Sequence, residues 1–222
     1  MKTFEVESFD GAHPGRTIWI VGCGPSLRNW AQQYFRGHVC IFINTAVHYV
    51  DGITTGRDDF YRIIFDQPAL LTHHLRTAEF PYYKNVPLKI PAVHSFMPEH
   101  VWERLNTDEK NFAKDTVWSL YHSHGFDPFK YPLVGKHLFY PTLFSAMSLG
   151  LRMGAATLKL VGVDYGPVDG VTHWDRQADV EKTRIMGQYQ RECMEKEMLP
   201  VCKEYGIEVE RWRCPEIKLY AT

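Results

Sequence analysis

The chain has 222 residues, enough for one large domain with a full hydrophobic core. Its 25 Lys and Arg residues are balanced by 26 Asp and Glu residues, which excludes the broad cationic surface that nonspecific nucleic-acid binding requires. The five Cys residues form no CxxC pair, and no stretch reaches the roughly 18 consecutive apolar residues of a membrane-spanning helix. We therefore expect a cytoplasmic protein with no nucleic-acid partner, no transmembrane segment and at most peripheral contact with the inner membrane face.

The first predicted elements form a βαβ unit. Residues 17–21 are a continuous apolar run that ends at a glycine turn, as is typical of a strand buried on both faces of a parallel sheet. A helix over residues 27–35 and a second buried strand over 38–43 come next. A third strand over 61–65 and a helix over 68–77 continue the alternation. This order predicts an α/β fold, with a Rossmann-like, mostly parallel sheet and helices on both faces.

The pattern changes in the middle of the chain, over residues 80–137. This stretch combines Pro, His and Tyr in short mixed segments, too long for a simple loop and too aromatic for a disordered one. We expect a lid or an insertion with short helices here. The chain as a whole, residues 1–222, is predicted to be a single Rossmann-like domain.

The C-terminal part returns to regular elements. An amphipathic helix is predicted over residues 141–154, followed by a strand over 157–163. A charged helical segment covers 179–205, where Pro200 is expected to kink or end the helix. Its expected buried stripe consists of Met186, Tyr189 and Cys193. Alternating apolar and charged residues over 207–212 predict an edge strand.

Polar residues come directly after four of the predicted strands, at their carboxyl ends. They are the turn that begins at Gly22, then Asn44, Asp66 and Asp164. Open parallel sheets bind ligands at this edge, because the loops there surround the switch point and helix N-termini face it. Taken singly, Asn44 and Asp164 are equally compatible with turn or loop caps. Their shared placement favours a binding site.

The turn Gly22-Cys23-Gly24-Pro25-Ser26-Leu27 has features that suit an anion. Its glycines let the backbone approach a ligand, Pro25 suits the first helical turn, and Ser26 adds a hydroxyl near free N–H groups. Leu27 replaces the third glycine of GxGxxG and no GxxxxGK[ST] occurs, so neither a standard dinucleotide fold nor a P-loop is indicated. A tight strand-to-helix bend explains the turn equally well by itself. Cys23 is interpreted as a small packing thiol rather than a nucleophile.

Several short segments in a fixed order carry a resemblance to known families. They are residues 20–27 with GxGPSL, 42–44, 65–68, 149–150 and 160–165 with GVDY. These segments resemble two related groups. One is the small bacterial CMP-sialic acid-dependent sialyltransferases that modify cell-surface oligosaccharides, which are the closer in pattern. The other comprises proteins typified by the archaeal 6-hydroxymethyl-dihydropterin pyrophosphokinase and by flagellin glycosylation factors.

The sialyltransferase resemblance implies a role for the residues at the strand ends. Those implied to border the nucleotide or the donor sugar are Gly22, Cys23, Gly24, Pro25, Ser26, Asn44, Asp66, Gln67, Thr142, Ser145, Asp164 and Tyr165. The turn would border the cytidine monophosphate, and Asn44 would bond near its phosphate or the donor sugar. A helix N-cap is the alternative interpretation of Thr142.

His173, in the loop after Asp164, is the candidate general base. An inverting transferase needs a group that accepts the proton of the acceptor hydroxyl, and imidazole suits this near neutral pH. The resemblance implies the same role, since the sialyltransferases have their base histidine in a comparable late loop. A structural or solvated histidine is the alternative.

Together these features predict an enzyme: a metal-independent inverting glycosyltransferase with a CMP-sugar donor, a glycan acceptor and no cofactor. Neither DxD nor HExxH occurs in the sequence. One alternative is an ATP-dependent pyrophosphokinase for a pterin-like alcohol, with Mg²⁺ held by carboxylates such as Asp66 and Asp164 and with Arg28 among the cations near the phosphates. Another is a non-catalytic nucleotide-binding protein. Each is compatible with a homo-oligomer.

Overall fold

The computed structural model describes the sheet and the helices that flank it. The described residues are 3–4, 6–50, 59–64, 94–98, 102–103, 118–121, 142–173 and 178–211. Their strands are β1 (Thr3–Phe4), β2 (Thr17–Val21), β3 (Val39–Ile43), β4 (Phe60–Ile63), β5 (His94–Pro98), β6 (Trp118–Tyr121), β7 (Thr157–Val161) and β8 (Glu208–Arg211). Their α-helices are α1 (Thr142–Arg152), α2 (Val180–Cys193) and α3 (Leu199–Glu204), with a π-helical turn at Met194–Met198. Short 3₁₀ segments lie at Val6–Phe9, Pro25–Asn29, Gln32–Phe35 and Asn44–Val50.

One parallel sheet organises these elements. Its strand order is β1-β6-β5-β4-β3-β2-β7-β8, and every neighbouring pair is parallel. In the central strand β2, Ile20 is opposite Ile41 of β3 on one side and Leu160 of β7 on the other. The chain leaves β2 towards β3 and returns on the other side with β7, so the strand order reverses at β2. The predicted Rossmann-like, mostly parallel α/β fold is confirmed.

The central strands are covered on both faces. On one face, Ile18 and Ile20 pack in a core with α1 and the π-helical turn. On the other face, Trp19 and Val21 pack with residues of the 3₁₀ segments that come after β2 and β3. Burial on both faces explains why residues 18–21 form an unbroken apolar run.

The predicted helix over residues 27–35 is wrong. Two short 3₁₀ segments, Pro25–Asn29 and Gln32–Phe35, occupy this stretch and are separated by Trp30, whose backbone is extended. The Trp30 ring packs edge-to-face on Trp19 at 5.8 Å between centroids. Packing of these aromatic rings against the sheet outweighs the modest helix propensity of the segment.

The middle of the chain, residues 80–137, contributes two strands to the sheet. β5 pairs with β4 at Ile63 and Phe96, and β6 pairs with β5 at Phe96 and Ser119. The sequence pattern did not indicate these strands, because β5 is short and mixes polar with apolar residues. Apart from residues 102–103, the rest of this stretch lies outside the described residues, as does the helix expected over 68–77, so the lid stays a prediction.

The C-terminal half has the predicted order of helix, strand, helix and edge strand. α1 lies within the predicted 141–154, and β8 ends the sheet beside β7. In the long helical segment Cys193 is buried, but Met186 is 39% exposed, so its placement in the buried stripe is wrong. The neighbouring Gly187 takes the inward position, because a side chain there would meet the backbone of Tyr165.

Pro200 neither ends the helical segment nor stands in a regular α-helix interior. It occupies the first turn of α3, directly after the π-helical turn. Proline has no N–H to donate to the regular α-helical hydrogen bonds. The change of hydrogen-bond pattern at the π-helical turn allows Pro200 to stand directly after it. Within the described ranges, no helix combines the length and the apolar character needed to cross a bilayer.

Candidate functional site

The candidate site lies at the carboxyl edge of the sheet, between the ends of β2 and β7. The N–H of Gly22 donates to Val161 O at 2.8 Å, and that of Gly24 donates to Gly162 O at 2.8 Å. The pairing of β2 with β7 thus continues beyond both strands, and the turns after them run side by side. Because the strand order reverses here, this is the point at which α/β sheets form a ligand crevice.

The glycines of the two turns allow the turns to touch. A Cβ added to Gly22 would lie 2.6 Å from Gly162 O, and one added to Gly24 would collide with the Asp164 carboxylate. Gly162 itself has a φ of 63°, which favours glycine. In the GxGPSL motif, both glycines therefore make room for the opposite turn, whereas the sequence alone suggested room for a ligand.

The N-terminal amide of the segment after the turn is already bonded within the protein. The N–H of Ser26 donates to Asp164 Oδ2 at 2.8 Å. The segment Pro25–Asn29 is a single short 3₁₀ stretch without an α-helical dipole of useful length. The carboxylate of GVDY thus caps GxGPSL and takes the amide that the sequence suggested for a phosphate.

Asn44 comes directly after β3 and lies beside the turn. Its φ is 51°, and its Oδ1 is buried and accepts no hydrogen bond from the described residues. Cys23 reaches across to both neighbours of Asn44, because its Sγ donates to Ile43 O at 3.1 Å and lies 3.4 Å from Thr45 Oγ1. The thiol therefore ties the turn to the end of β3. An unsatisfied buried acceptor costs about 1–3 kcal/mol, so Asn44 Oδ1 is an acceptor at the carboxyl edge of the sheet that can still take a hydrogen bond.

The loop that carries His173 is ordered by local contacts. Val168 and Val171 form a β-bridge around Asp169 and Gly170, both at positive φ. Beyond this bridge, the buried Thr172 accepts a hydrogen bond from the Ala178 N–H at 2.7 Å through its Oγ1.

A long-range contact ties this loop to the GxGPSL segment. Arg28 Nη2 lies 3.5 Å from the backbone oxygen of His173, to which it donates, although the two residues are 145 positions apart. Arg28 belongs to the 3₁₀ segment that starts at Pro25, so its side chain links the backbone of His173 to the segment after the Gly22 turn. The His173 side chain is half-buried.

Tyr165 packs between the sheet and α2. Its ring lies 5.0 Å from the Arg211 guanidinium and 5.8 Å from that of Arg191, both in cation–π geometry. Burial raises the pKa of Tyr165 to about 12, so its hydroxyl keeps its proton at neutral pH. Tyr165 is a packing residue with a neutral hydroxyl, and its contact with a nucleotide stays a prediction.

Thr142 and Ser145 stand in the first half of α1, on the same edge of the sheet. The far end of α1 lies at the amino edge, because Gly15 N–H donates to Gly154 O at 2.8 Å just before β2. A helix of 11 residues is about 16 Å long, which matches the length of a five-residue strand. The start of α1 therefore reaches the carboxyl edge. Asp66 and Gln67 lie outside the described residues.

Two residues at this site carried no signal in the sequence. Thr172 accepts a hydrogen bond from Ala178 N–H, and Arg211 of the edge strand contacts both Asp164 O, 47 positions earlier, and the Tyr165 ring. The sequence suggested Arg28 only as a phosphate contact of a pyrophosphokinase. In the described part of the chain, no three His, Cys, Asp or Glu side chains group as metal ligands.

The fold is similar to that of solved glycosyltransferases. The MAf glycosyltransferase from Magnetospirillum magneticum AMB-1 matches with a TM-score of 0.55 and 14% identity, over 98% of this chain but 38% of its own. The sialyltransferase CstII from Campylobacter jejuni, in complex with CMP-3FNeuAc, matches with a TM-score of 0.49 and 13% identity, over 92% of this chain and 83% of its own. No protein-family model and no curated protein matches the sequence. At 14% identity, the likeness to the MAf enzyme establishes a shared fold, and the chain spans well under half of that enzyme's length.

Proposed function

We propose that this protein is an inverting glycosyltransferase that moves a sugar from a CMP-activated donor to a hydroxyl of a glycan acceptor, without a metal ion. The observation that carries the proposal is the convergence of the Gly22 turn, Asn44, Asp164 and the His173 loop at the reversal of strand order. This is the position at which α/β sheets bind ligands. The resemblance of GxGPSL and GVDY to sialyltransferase motifs supports CMP as the nucleotide.

Asn44 is the proposed anchor of the donor. Its Oδ1 is a buried acceptor that no described residue satisfies, and its Nδ2 carries two donors, so the side-chain amide offers a ligand both an acceptor and a donor. A ribose or sugar hydroxyl or the amino group of cytosine can donate to Oδ1, and a phosphate oxygen can accept from Nδ2. We therefore assign Asn44 to the donor sugar or the phosphate, as the resemblance implies.

The phosphate is proposed to lie along the turn on the side of Arg28. The Ser26 N–H already donates its hydrogen bond to the Asp164 carboxylate, so this N–H is not available to the phosphate. Arg28 extends from the same 3₁₀ segment and supplies a positive charge for the phosphate and for the negative charge that grows on CMP as it leaves. The further proposed donor contacts are Asp66, Gln67, Thr142, Ser145 and Tyr165.

His173 is the proposed general base. Its imidazole takes the proton of the acceptor hydroxyl as the hydroxyl oxygen attacks the anomeric carbon. The bond from the anomeric carbon to the phosphate oxygen breaks, and its electron pair leaves with CMP. The products are an inverted glycoside, CMP and a proton released from His173 to solvent.

Ligand binding tests the nucleotide assignment. CMP should raise the melting temperature of the protein in a concentration-dependent way, and AMP should not. The variant Asn44→Ala should lose this shift, whereas Thr17→Ala, at the start of β2 on the amino edge, should keep it. A protein that responds to AMP or ATP but to no cytidine nucleotide would contradict the proposal.

Turnover tests the chemistry. Release of CMP from a CMP-sugar should depend on an acceptor glycan, persist in EDTA and fall about 100-fold or more in His173→Gln. His38→Gln is the matched control, since His38 stacks on Trp19 at the amino end of β3. EDTA-sensitive formation of AMP from ATP and a pterin would instead establish the pyrophosphokinase, and unchanged CMP affinity without any turnover would establish a binding protein.

A further inference from the structure

Arg211 is the last residue of the edge strand β8, and its side chain reaches the loop after β7. Its Nη2 lies 3.2 Å from Val163 O and 3.5 Å from Asp164 O and donates to both. The guanidinium carbon also lies 5.0 Å from the centre of the Tyr165 ring. One side chain thus contacts three consecutive residues of this loop, residues 162–165, which we call the GVDY loop.

The GVDY loop needs external support because of its backbone geometry. Gly162 has a φ of 63° and Tyr165 a φ of 53°. The left-handed region is unfavourable for a bulky residue such as Tyr165, which persists there only where contacts hold it. From the side of α2, the backbone of Tyr165 packs against Gly187, where a Cβ would collide with it. From the side of the sheet, Arg211 supplies the hydrogen bonds and the ring contact.

The supported loop in turn holds the first turn of the site. Asp164 lies between the two positions of positive φ and presents its carboxylate to the Ser26 N–H at 2.8 Å. A rotation of the loop backbone would remove this acceptor from the amide. Arg211, Asp164 and Ser26 therefore form a continuous chain of contacts from the sheet edge to GxGPSL.

We propose that Arg211 is a positioning residue of the nucleotide site, which acts through the GVDY loop on the GxGPSL turn. The inference rests on the proposed function, since it assumes that this turn borders the donor. Arg211 itself makes no contact with the reacting atoms. Its loss loosens the turn, which weakens donor binding more than it slows the chemical step.

Arg191 provides a comparison within the same protein. Its guanidinium carbon lies 5.8 Å from the centre of the same Tyr165 ring. Among the described residues, however, it donates no hydrogen bond to the GVDY loop. If the contact with the Tyr165 ring alone held the GVDY loop, substitution of Arg191 and substitution of Arg211 would loosen the loop equally. If the hydrogen bonds to the loop matter, only Arg211 affects the turn.

The first experiment measures the turn without any ligand. Hydrogen exchange of the Ser26 amide is monitored by NMR in the wild type, Arg211→Gln, Arg211→Lys and Arg191→Gln. Two hydrogen bonds from a charged donor are lost in Arg211→Gln, so exchange at Ser26 should accelerate about tenfold or more. Arg191→Gln should leave this exchange within about twofold of the wild type. Equal exchange in Arg211→Gln and the wild type, or equal acceleration in both Gln variants, would overturn the inference.

The second experiment measures the consequence for the donor. KM for the CMP-sugar should rise about tenfold in Arg211→Gln with kcat changed much less, and Arg211→Lys should recover part of the loss through its remaining donor. A fall in kcat at constant KM would overturn the positioning role. If the wild type neither binds CMP nor turns over a CMP-sugar, the proposed function fails, while exchange at Ser26 still decides whether Arg211 holds the turn. If Arg211→Gln does not fold, Arg211→Lys is compared with Arg191→Lys in the same measurements.

Discussion

The backbone N–H of Ser26 donates a hydrogen bond of 2.8 Å to Asp164 Oδ2, and this bond joins the turn after β2 to the turn after β7. Each residue belongs to a motif that the sequence associates with a nucleotide. In the folded chain the carboxylate satisfies the amide, so the pair clamps the two turns across the reversal of strand order. If the proposed donor binds along these turns, stability and donor binding should depend on the same few residues.

Asp164→Ala should destabilise the protein more than Asp164→Asn. Alanine leaves the Ser26 amide without its acceptor, and a hydrogen bond to a charged group contributes about 1.5–3 kcal/mol, whereas asparagine keeps a neutral acceptor of the same shape. The measurement is the free energy of unfolding in urea at pH 7. Glu208→Gln, on the exposed edge of β8, serves as the control and should leave the free energy unchanged. An equal loss of unfolding free energy in Asp164→Asn and Asp164→Ala would contradict a role for the hydrogen bond to Ser26.

Gly22→Ala should lower both stability and ligand affinity. Its Cβ would lie 2.6 Å from the backbone oxygen of Gly162, which belongs to the opposite turn and can move only if the turns separate. Overpacking of this kind costs about 1–3 kcal/mol. Gly37→Ala is the matched control, because Gly37 has a φ of 74° but open space around it, so its substitution strains only the local backbone. Both variants should unfold at lower urea concentration, and calorimetric titration with CMP should show weaker binding only for Gly22→Ala.

Asn44→Gly should keep or raise stability and yet weaken ligand binding. The substitution removes a buried acceptor without a partner among the described residues and relieves a φ of 51°, and the larger backbone entropy that glycine loses on folding opposes both effects, which leaves a net gain of up to about 1 kcal/mol. Asp169→Gly is the control, since Asp169 has a φ of 50° in an exposed turn. Both variants should melt at or above the wild-type temperature. Unaltered CMP affinity in Asn44→Gly would mean that this amide does not contact the donor.

His94 should make the protein less stable in mild acid. Burial lowers the pKa of His94 to about 4, whereas the unfolded chain titrates near 6.5. Folding thus favours the neutral form of His94. The contribution of this neutral form to the free energy of unfolding is complete above pH 6.5 and is lost as the pH falls towards 4. His94 packs on Phe9 at 4.6 Å between ring centroids, and the pKa of the nearby His13 is lowered in the same direction, also mainly by burial.

The test is the urea midpoint of the wild type and of His94→Phe at pH 7 and pH 4.5. Phenylalanine keeps the ring contact with Phe9 but carries no titrating nitrogen. The variant should therefore lose less stability between the two pH values, and its remaining pH dependence should include that of His13. A difference between pH 7 and pH 4.5 as large in the variant as in the wild type would show that His94 does not contribute.

Much of the central sheet can be predicted from local sequence pattern. The strands β2 and β3 are mostly apolar runs followed by glycine and asparagine, and because both of their faces are buried they show no alternation of apolar and polar residues. β7 alternates, since Thr157 and Lys159 lie on its less buried face. β5 is different, because a short strand of mixed residues has no periodicity to detect. The stretch over 27–35 has adequate helix propensity, yet the packing of Trp30 on Trp19 decides its conformation.

The sequence by itself determined the fold class and the edge of the sheet at which polar groups gather, since both depend on the order of buried strands and on the residues at the carboxyl end of each strand. Only the tertiary structure decided how those groups are used. The Ser26 amide binds Asp164, and Arg211 braces the loop from a strand 47 positions later. Pairings between residues so distant in the chain are set by strand order and close packing of backbone turns, which no local pattern encodes.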